Sequence, residues 1–410
     1  MRIQLITVNY PPEVGGGPHL SYELAQSLKD RGHDVTVLTG YPHYNVKTVE
    51  PKYRRGLWMS ETMDGITVRR IRIPVVPRTK KLARGFEHFV SGLYLGALAL
   101  TAPRADVAMA YTPPLPVPWI ACLVGKVRHM GVAVNVQDLF PREAVELGIL
   151  SNPFLIRALE VMERQVYRLA AAVTVHSPGN REHVIQQGGD PKHVHVLYNW
   201  VDTERIRPGN GDNGFKRQQG LQGQFVVSYA GTMGWGQDMS TIIDSAARMR
   251  DQKETVFMLV GDGVDKEKAQ ARSRELGLAN VRWLPMQPWS VYPEILAASD
   301  VSLVNLNPEL RTPVVPSKIL SIMAAGRPVI ASLPLESDAR RIVAEAGCGI
   351  CVDAGDGEAL AGAIRKLESD RTLARDMGKR GRAYVETHYS LEACTGRFEN
   401  LLKTTVEERL

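Results

Sequence analysis

Short runs of apolar, often β-branched residues recur along the whole chain, and helix-like segments separate them. In the first half these runs cover residues 3–8, 34–39, 68–73, 107–111, 133–138, 172–176 and 195–197. The runs lack polar–apolar alternation, which is typical of strands that are buried on both faces of a parallel sheet. This pattern predicts a doubly wound α/β domain.

The pattern stops at a polar, glycine-rich stretch, residues 208–224, and then begins again. Its second series covers residues 225–230, 256–260, 281–284, 301–306, 329–331 and 350–352. Because glycine-rich polar stretches are typical of linkers, the sequence predicts two tandem Rossmann-like α/β domains that face a cleft. We expect an N-terminal domain over 1–200, a crossing segment and linker over 201–224, and a C-terminal domain over 225–390. The helix predicted over 391–410 either belongs to the second domain or crosses back to the first.

Composition narrows the class of protein. The chain has 410 residues and a formal net charge of +6, which favours anionic partners. Four cysteines do not suffice for the disulfide framework of a small secreted protein. The longest apolar stretches, 92–102 and 115–125, fall short of the roughly 18–20 residues that span a bilayer. We therefore expect a cytoplasmic protein without a transmembrane helix.

A triple glycine follows the first apolar run, in "NYPPEVGGGPHLSYELA". Gly15 and Gly17 match two glycines of the dinucleotide fingerprint, but Leu20 stands at the third position and no acid ends the second strand. This departure argues against NAD. Two interpretations stay open: a connecting turn, or a backbone wall that approaches an anionic ligand. We expect Gly16 and Gly17 to line the ligand site from the first domain.

The second half has two further candidate phosphate sites, "YAGTMGWG" after a strand and "VPSK" before a helix. Glycine-rich turns at strand ends present backbone N–H groups to anions. Ser317 is a candidate N-cap, and Lys318 in the first turn opposes the helix dipole unless an anion binds there. The alternative is a solvated lysine. The residues predicted to hold a diphosphate are Gly231, Thr232, Met233, Gly234, Pro316, Ser317 and Lys318.

In this order the motifs resemble those of the family 4 glycosyltransferases, which have the GT-B fold. The resemblance rests on the opening glycine segment, on "VLYNWVDTERIRP", and on "MAAGRPVIA" followed by "AGCGICVDAGDGEALAGAI". "VQDLFPREAVELGIL" and "YNWVD" are most similar to the subgroup of O-antigen N-acetyl-L-fucosamine and colanic acid transferases. The resemblance implies retaining transfer from a nucleotide diphosphate sugar to a lipid-linked saccharide, with no metal and no other cofactor. It favours a UDP-linked deoxy amino sugar as the donor.

The chain departs from the family pattern at its charged positions. Pro313 and Ser321 occupy the positions of two family glutamates, and Thr232 and Gln237 occupy those of an arginine and a lysine. A histidine–aspartate pair reads Gln137–Asp138. We therefore predict that the charge roles fall to other residues. The predicted catalytic residues are Lys318, Arg311 and Asp138, and the further donor contacts are Gly263, Met286 and Ser321.

A basic stretch between Lys52 and Arg84 contains ten cations against Glu61 and Asp64. An apolar helix-like segment follows it, and this combination favours an anionic membrane surface. The alternative is a core helix beside a solvated basic face. We expect peripheral binding at the inner face of the cytoplasmic membrane. We do not expect nucleic-acid binding, since no nucleic-acid motif accompanies the charge.

Two other functions stay open at the level of sequence. The missing glutamates are compatible with a protein that binds sugar nucleotides without turnover. A GT-B-fold epimerase that acts on a nucleotide sugar would share the same donor site.

Overall fold

The computed structural model describes residues 1–43, 46, 49–74 and 81–408, without the side chains of residues 81–85. The chain divides into two compact units. The first unit combines Met1–Asn199 with the C-terminal stretch that begins at Glu392, and the second unit is Trp200–Leu391. The two units carry one sheet each, so the predicted pair of doubly wound domains is confirmed.

The first unit is built on a mostly parallel sheet. Its strands are β1 (Arg2–Ile6), β2 (Asp34–Gly40), β3 (Trp58–Met63), β4 (Ile66–Ile71), β5 (Val107–Thr112), β6 (Gly131–Val136), β7 (Ala172–Val175) and β8 (Val194–Val196). Among the described residues their order across the sheet is β3-β4-β2-β1-β5-β6-β7-β8. Every residue of β5 and β6 is buried, which explains why these strands read as unbroken apolar runs.

Helices connect these strands. They are α1 (Gly16–Asp30), α2 (Lys81–Thr101), α3 (Pro116–Val127), α4 (Arg142–Glu146), α5 (Pro153–Leu169) and α6 (Pro178–Gln186). Proline stands in the first turn of α3, α5 and α6, where its missing N–H costs nothing. Helices α2 and α3 approach closely at Gly92, where a Cβ atom would lie 2.7 Å from the Pro116 carbonyl oxygen.

Two features of this sheet differ from the sequence prediction. Strand β3 was not predicted, because an edge strand with alternating exposed and half-buried residues has no apolar run. It pairs antiparallel with β4. The sequence predicts that Asp138 lies at the carboxyl end of a strand. Strand β6 instead ends at Val136, and Asp138 lies in the loop that follows it.

The second unit has its own six-stranded parallel sheet within residues 200–391, all of which are described. Its strands are β9 (Phe225–Thr232), β10 (Thr255–Asp262), β11 (Val281–Leu284), β12 (Val301–Asn305), β13 (Val329–Leu333) and β14 (Gly349–Asp353). Their order is β11-β10-β9-β12-β13-β14. The helices are α7 (Gly214–Gln218), α8 (Met239–Arg248), α9 (Lys266–Glu275), α10 (Tyr292–Ala298), α11 (Lys318–Ala324), α12 (Ala339–Ala346), α13 (Gly357–Ser369) and α14 (Arg371–His388).

The segment predicted as an interdomain linker, residues 208–224, is part of this unit. It contains helix α7, which Asn213 caps by accepting the Lys216 N–H. Phe215 and Leu221 are buried against Val226 of β9 in a small apolar cluster. The sequence hides this packing, because only two large apolar side chains stand among polar residues.

The C-terminal helix α15 (Leu391–Glu407) packs on the first unit, so the predicted crossing back is confirmed. Ser27 of α1 donates a hydrogen bond to the Thr395 hydroxyl at 2.7 Å. The Glu399 carboxylate contacts Arg31 at 3.3 Å and His33 at 3.0 Å. Hydrogen bonds and charge attraction from Lys403 first, and then from His33, lower the pKa of Glu399 to about 2.

No helix in the described part of the chain is both long enough and apolar enough to cross a membrane.

Candidate active site

The second unit brings two glycine loops together at the carboxyl ends of β9 and β10. The strands pair in register with Gly231 opposite Gly261. A Cβ atom on Gly261 would lie 1.9 Å from the Gly231 carbonyl oxygen, and one on Gly263 would lie 2.2 Å from the Met233 carbonyl oxygen. Backbone packs directly on backbone here, and side chains at these two positions would prevent it. The predicted residues Gly231 and Gly263 therefore share one site.

Residues 231–237 form a loop whose shape depends on its own hydrogen bonds. The Gly234 N–H donates to the Gln237 side chain at 3.1 Å, and the Asn307 N–H donates to the Gly236 carbonyl at 3.0 Å. Gln237 stands where the resemblance expects a lysine, and here it shapes the loop. The Met233 side chain is fully buried in the core, so only the backbone of Met233 is left to contact a donor.

Lys318, at the start of α11, lies directly over this loop. Its Nζ donates to the Tyr229 hydroxyl at 2.5 Å and lies 4.2 Å from the centre of the Tyr229 ring. It also lies 3.5 Å from the Thr232 carbonyl oxygen. A Cβ atom on Gly231 would lie only 2.5 Å from Lys318 Cε. The two candidate phosphate sites predicted from the sequence are therefore adjacent.

The electrostatic surroundings of Lys318 are unusual for a lysine. Its side chain is partly open to solvent, yet burial lowers its pKa to about 7. Burial raises the pKa of Tyr229, which keeps that phenol protonated. Within the described residues no carboxylate lies within ion-pairing distance of Lys318 Nζ. An anionic ligand would therefore stabilise the ammonium form of Lys318.

The neighbours of Lys318 on α11 are placed differently from the prediction. Ser317 stands at the N-cap position of α11, as predicted, but its backbone is helical (φ −58°, ψ −23°) and its side chain makes no cap bond. Pro316 closes the turn, because its carbonyl accepts the Ile319 N–H at 3.1 Å. The Ser321 hydroxyl is buried and hydrogen-bonds the Tyr292 phenol. Met286 is half-buried in the loop after β11.

Arg311 pairs with a carboxylate that is not part of the Lys318 cluster. It is exposed and pairs with Glu336, with 3.7 Å between the charged atoms. The sequence favoured Arg311 only because it is near Lys318 along the chain. The Arg311 guanidinium is therefore a weaker candidate for binding the diphosphate than the Lys318 amine.

In the first unit, Asp138 lies in the loop between β6 and α4, and Glu143 and Glu146 lie on α4. Gln137 beside it exchanges amide hydrogen bonds with Asn199, at 2.8 Å and 3.2 Å. Asp138 keeps contact with solvent, but desolvation by the surrounding protein raises its pKa. Desolvation first, and then repulsion from Asp138 and Glu146, raise the pKa of Glu143 to about 8. Desolvation and charge repulsion thus raise the pKa of both carboxyl groups and favour their protonated forms.

Gly16 and Gly17 lie in the first turn of α1. A Cβ atom at either position would meet no atom within 4 Å. Side chains would therefore fit there without a clash in this structure. The first unit supplies an open glycine surface at this turn.

Two family models match the chain in tandem. The first, "Glycosyl transferase 4-like domain", matches residues 15–200, and the second, "Glycosyl transferases group 1", matches residues 212–384. Together they span both units.

The chain is a family 4 glycosyltransferase.

Named relatives agree with this family. The glycosyltransferase is 24% identical over 393 residues to the putative colanic acid biosynthesis glycosyl transferase WcaI of Escherichia coli, with 93% of this chain and 96% of WcaI covered. It is 25% identical to the probable glycosyltransferase WbjE of Pseudomonas aeruginosa, with 81% and 84% covered. The resemblance to the colanic acid and O-antigen subgroup is thereby confirmed.

Solved structures confirm the GT-B fold of the glycosyltransferase. Anabaena HepE in complex with UDP superposes with a TM-score of 0.74 at 18% identity, and the match covers 98% of this chain and 100% of HepE. Sucrose-phosphate synthase from Thermosynechococcus elongatus superposes with a TM-score of 0.77 at 18% identity, with 99% of both chains covered.

Sequence reasoning missed two residues of this glycosyltransferase. Tyr229 meets Lys318, which lies 89 residues later, so no local pattern could reveal their contact. Glu143 follows Asp138 by five residues, and this short spacing along the chain was the signal that could have pointed to Glu143. The sequence gives no sign that the loop after β6 brings the two carboxyl groups into mutual influence.

Proposed function

We propose that this glycosyltransferase moves a sugar from a nucleotide diphosphate sugar to a lipid-linked saccharide in cell-surface polysaccharide synthesis. We further propose that transfer retains the anomeric configuration and needs no metal ion. The relative WcaI is named for colanic acid biosynthesis, and HepE has been solved with UDP and with UDP-glucose. These names favour a UDP-linked donor, and the subgroup favours a deoxy amino sugar.

The observation that carries the proposal is the position of Lys318 over the glycine loops of the second unit. In parallel α/β sheets, ligands bind beyond the carboxyl ends of the strands, which is where these loops lie. A diphosphate there would supply the anion that Lys318 lacks. During transfer the leaving diphosphate gains charge, and a fixed cation beside it stabilises the transition state.

The first unit supplies the proposed acceptor groups. Asp138 has access to solvent, and its pKa and that of Glu143 are raised. A carboxylate with a raised pKa is a better proton acceptor for a sugar hydroxyl near neutral pH. We assign Asp138 to orienting or deprotonating the acceptor, and Glu143 to setting the charge of the pair.

The test is acceptor-dependent UDP release by the full chain. We expect release to need a lipid-linked saccharide and to persist in EDTA. Lys318→Ala should lower kcat/KM by about 10² or more, since one removed transition-state donor costs about 10²–10³. Lys253→Ala, an exposed lysine of the same unit, is the matched control and should behave as wild type.

Each part of the proposal has an outcome that contradicts it. Full activity of Lys318→Ala would refute the diphosphate site. Loss of activity in EDTA, restored by a divalent ion, would refute metal independence. An inverted anomeric centre in the product, seen by NMR, would refute retention. Isomerised donor without acceptor would identify an epimerase.

We also propose that the first unit binds an anionic membrane surface. The hairpin of β3 and β4 exposes Leu57 (60%) and Trp58 (59%), and the Arg69 guanidinium lies 5.9 Å from the centre of a Trp58 ring. Arg54 and Arg55 precede them and are exposed. Aromatic side chains beside cations suit a bilayer interface, at about 1 kcal/mol per close cation.

The structure does not place all ten predicted cations on this basic surface. Arg70 is fully buried and pairs with Glu61 at 2.6 Å, so it does not belong to the surface as predicted. Arg78 and Lys80 lie outside the described residues, as do the side chains of Lys81 and Arg84. Helix α2 is core on one side and exposes Phe86, Phe89, Leu93 and Leu100 on the other. The buried side of α2 agrees with the predicted core helix, and its exposed apolar side supports the proposed membrane contact.

Vesicle sedimentation tests this contact. We expect the chain to sediment with vesicles that contain phosphatidylglycerol more than with pure phosphatidylcholine. The double variant Leu57→Ser, Trp58→Ser should lose most of this binding, while Leu335→Ser, an equally exposed apolar residue of the second unit, should keep it. Equal binding by both variants would contradict the assigned surface.

A further inference from the structure

Tyr229 binds the Lys318 amine at the glycine loop of the second unit. The Tyr229 ring is fully buried, and its hydroxyl stands at the carboxyl end of β9. The hydroxyl donates to the Thr232 carbonyl of the glycine loop and accepts from Lys318 Nζ at 2.5 Å. One phenol therefore connects the amine to the loop that is proposed to bind the diphosphate.

The groups around this contact include no counterion for the amine. Tyr292 of α10 is a second, partly buried phenol, and it hydrogen-bonds Ser321 of α11. On the neighbouring loop the Lys266 amine donates to the Gly261 carbonyl at 2.7 Å, and the Asp262 carboxylate accepts the Gly263 N–H at 2.9 Å. Both charged groups are thus bound to the backbone of their own loop. Among the described residues, the neighbours of Lys318 Nζ are a hydroxyl, an aromatic ring and a carbonyl.

We propose that Tyr229 is a positioning residue that holds the Lys318 amine at the glycine loop, and that a nucleoside diphosphate binds there together with one proton taken up by Lys318. This inference rests on the proposed donor site. The proton comes from solvent and forms the third N–H bond of the ammonium group. No covalent bond between protein and nucleotide forms.

The number of protons taken up on binding follows from the protonation states of the amine and of the UDP phosphate, and it can be measured. At pH 8 an amine with a pKa of about 7 is about nine-tenths neutral, and the terminal phosphate of UDP, with a pKa of about 6, is fully ionised. When the diphosphate stabilises the ammonium form, the complex gains about 0.9 proton. At pH 6 the amine is already charged, and the uptake at Lys318 falls towards zero.

Tyr229→Phe separates positioning from packing. The variant keeps the buried ring and removes only the hydroxyl. The Lys318 amine then loses its 2.5 Å hydrogen bond and turns to solvent, where a lysine is already charged at pH 8. We expect this variant to bind UDP about 10-fold more weakly and to take up almost no proton. A structural defect alone would weaken binding without removing the proton uptake.

The experiment is isothermal titration of the full chain with UDP at pH 8, in buffers that differ in ionisation enthalpy. Wild type should take up about 0.9 proton, and Tyr229→Phe and Lys318→Met should take up almost none. Tyr384→Phe is the matched control, since its hydroxyl donates to Glu345 elsewhere in the same unit, and it should match wild type. Melting curves confirm that each variant is folded.

The outcomes separate this inference from the proposed function. Wild-type binding without proton uptake, but with a clear loss of affinity in Lys318→Met, would overturn the inference and leave the donor site standing. Unchanged affinity in Lys318→Met would overturn the donor site itself. Wild-type proton uptake in Tyr229→Phe would overturn the positioning role of Tyr229.

Discussion

Replacement of Gly231 by alanine would place a methyl group against Lys318. The new Cβ atom would lie 2.5 Å from Lys318 Cε, whereas carbon atoms in contact are about 3.5–4.0 Å apart. The lysine must therefore move by about 1 Å, which breaks its hydrogen bond to Tyr229. Gly231 also has a φ of +138°, which L side chains rarely adopt.

Two effects of Gly231→Ala follow from this geometry. The backbone strain should lower the free energy of unfolding by about 1–3 kcal/mol, or the melting temperature by about 2–10 °C. A displacement of about 1 Å at a charged group should lower kcat/KM for the sugar donor by about 10²-fold. Thermal melts and steady-state UDP release measure the two effects separately.

Gly236→Ala provides a control in the same loop. A Cβ atom on Gly236 would meet no atom within 4 Å, so this variant should keep its activity and its melting temperature. If Gly231→Ala behaves like Gly236→Ala in both assays, then the close approach of Lys318 to the loop is not important for function. That result would refute the reasoning.

Three more substitutions test other parts of the structure. Glu399→Gln should destabilise the chain by about 1–3 kcal/mol at pH 7, because the carboxylate loses its contacts with Lys403, Arg31 and His33. Since the folded-state pKa of Glu399 lies at about 2, below its ordinary value, this difference should shrink as pH falls from about 5 towards 2 in melts followed by circular dichroism. The pKa of Glu143 is raised to about 8, so the stability it contributes is present at low pH and lost as pH rises through 8; Glu143→Gln should flatten the decline of melting temperature between pH 6 and 9. Gly16→Val should lower turnover more than UDP affinity, and an equal loss of both would contradict its assignment to the first unit's side of the donor.

The sequence predicts the parallel strands well, because burial on both faces leaves a continuous apolar run. Strands β5 and β6 are examples in which every residue is buried. The same logic fails at β3, where one edge is open and polar residues alternate with half-buried ones. It also fails at helix α7, where Phe215 alone anchors a polar segment.

The candidate site is predictable in its position but not in its contacts. Glycines after β9 and a lysine at the start of α11 can be read from the chain, since loops and helix starts have local signals. The side-chain partners depend on tertiary packing. Met233 turns into the core, Arg70 turns inward to Glu61, and Tyr229 meets Lys318, and none of these orientations has a local signature.

The central claim is that the second unit binds the nucleoside diphosphate of the donor through Lys318. The most direct measurement is the dissociation constant for UDP of the wild-type chain, Lys318→Ala and Lys253→Ala, with GDP, ADP and TDP compared on the wild type. We predict tightest binding of UDP, a loss of affinity of about 10-fold to 100-fold in Lys318→Ala, and none in Lys253→Ala. Equal UDP affinity in all three proteins would contradict the claim.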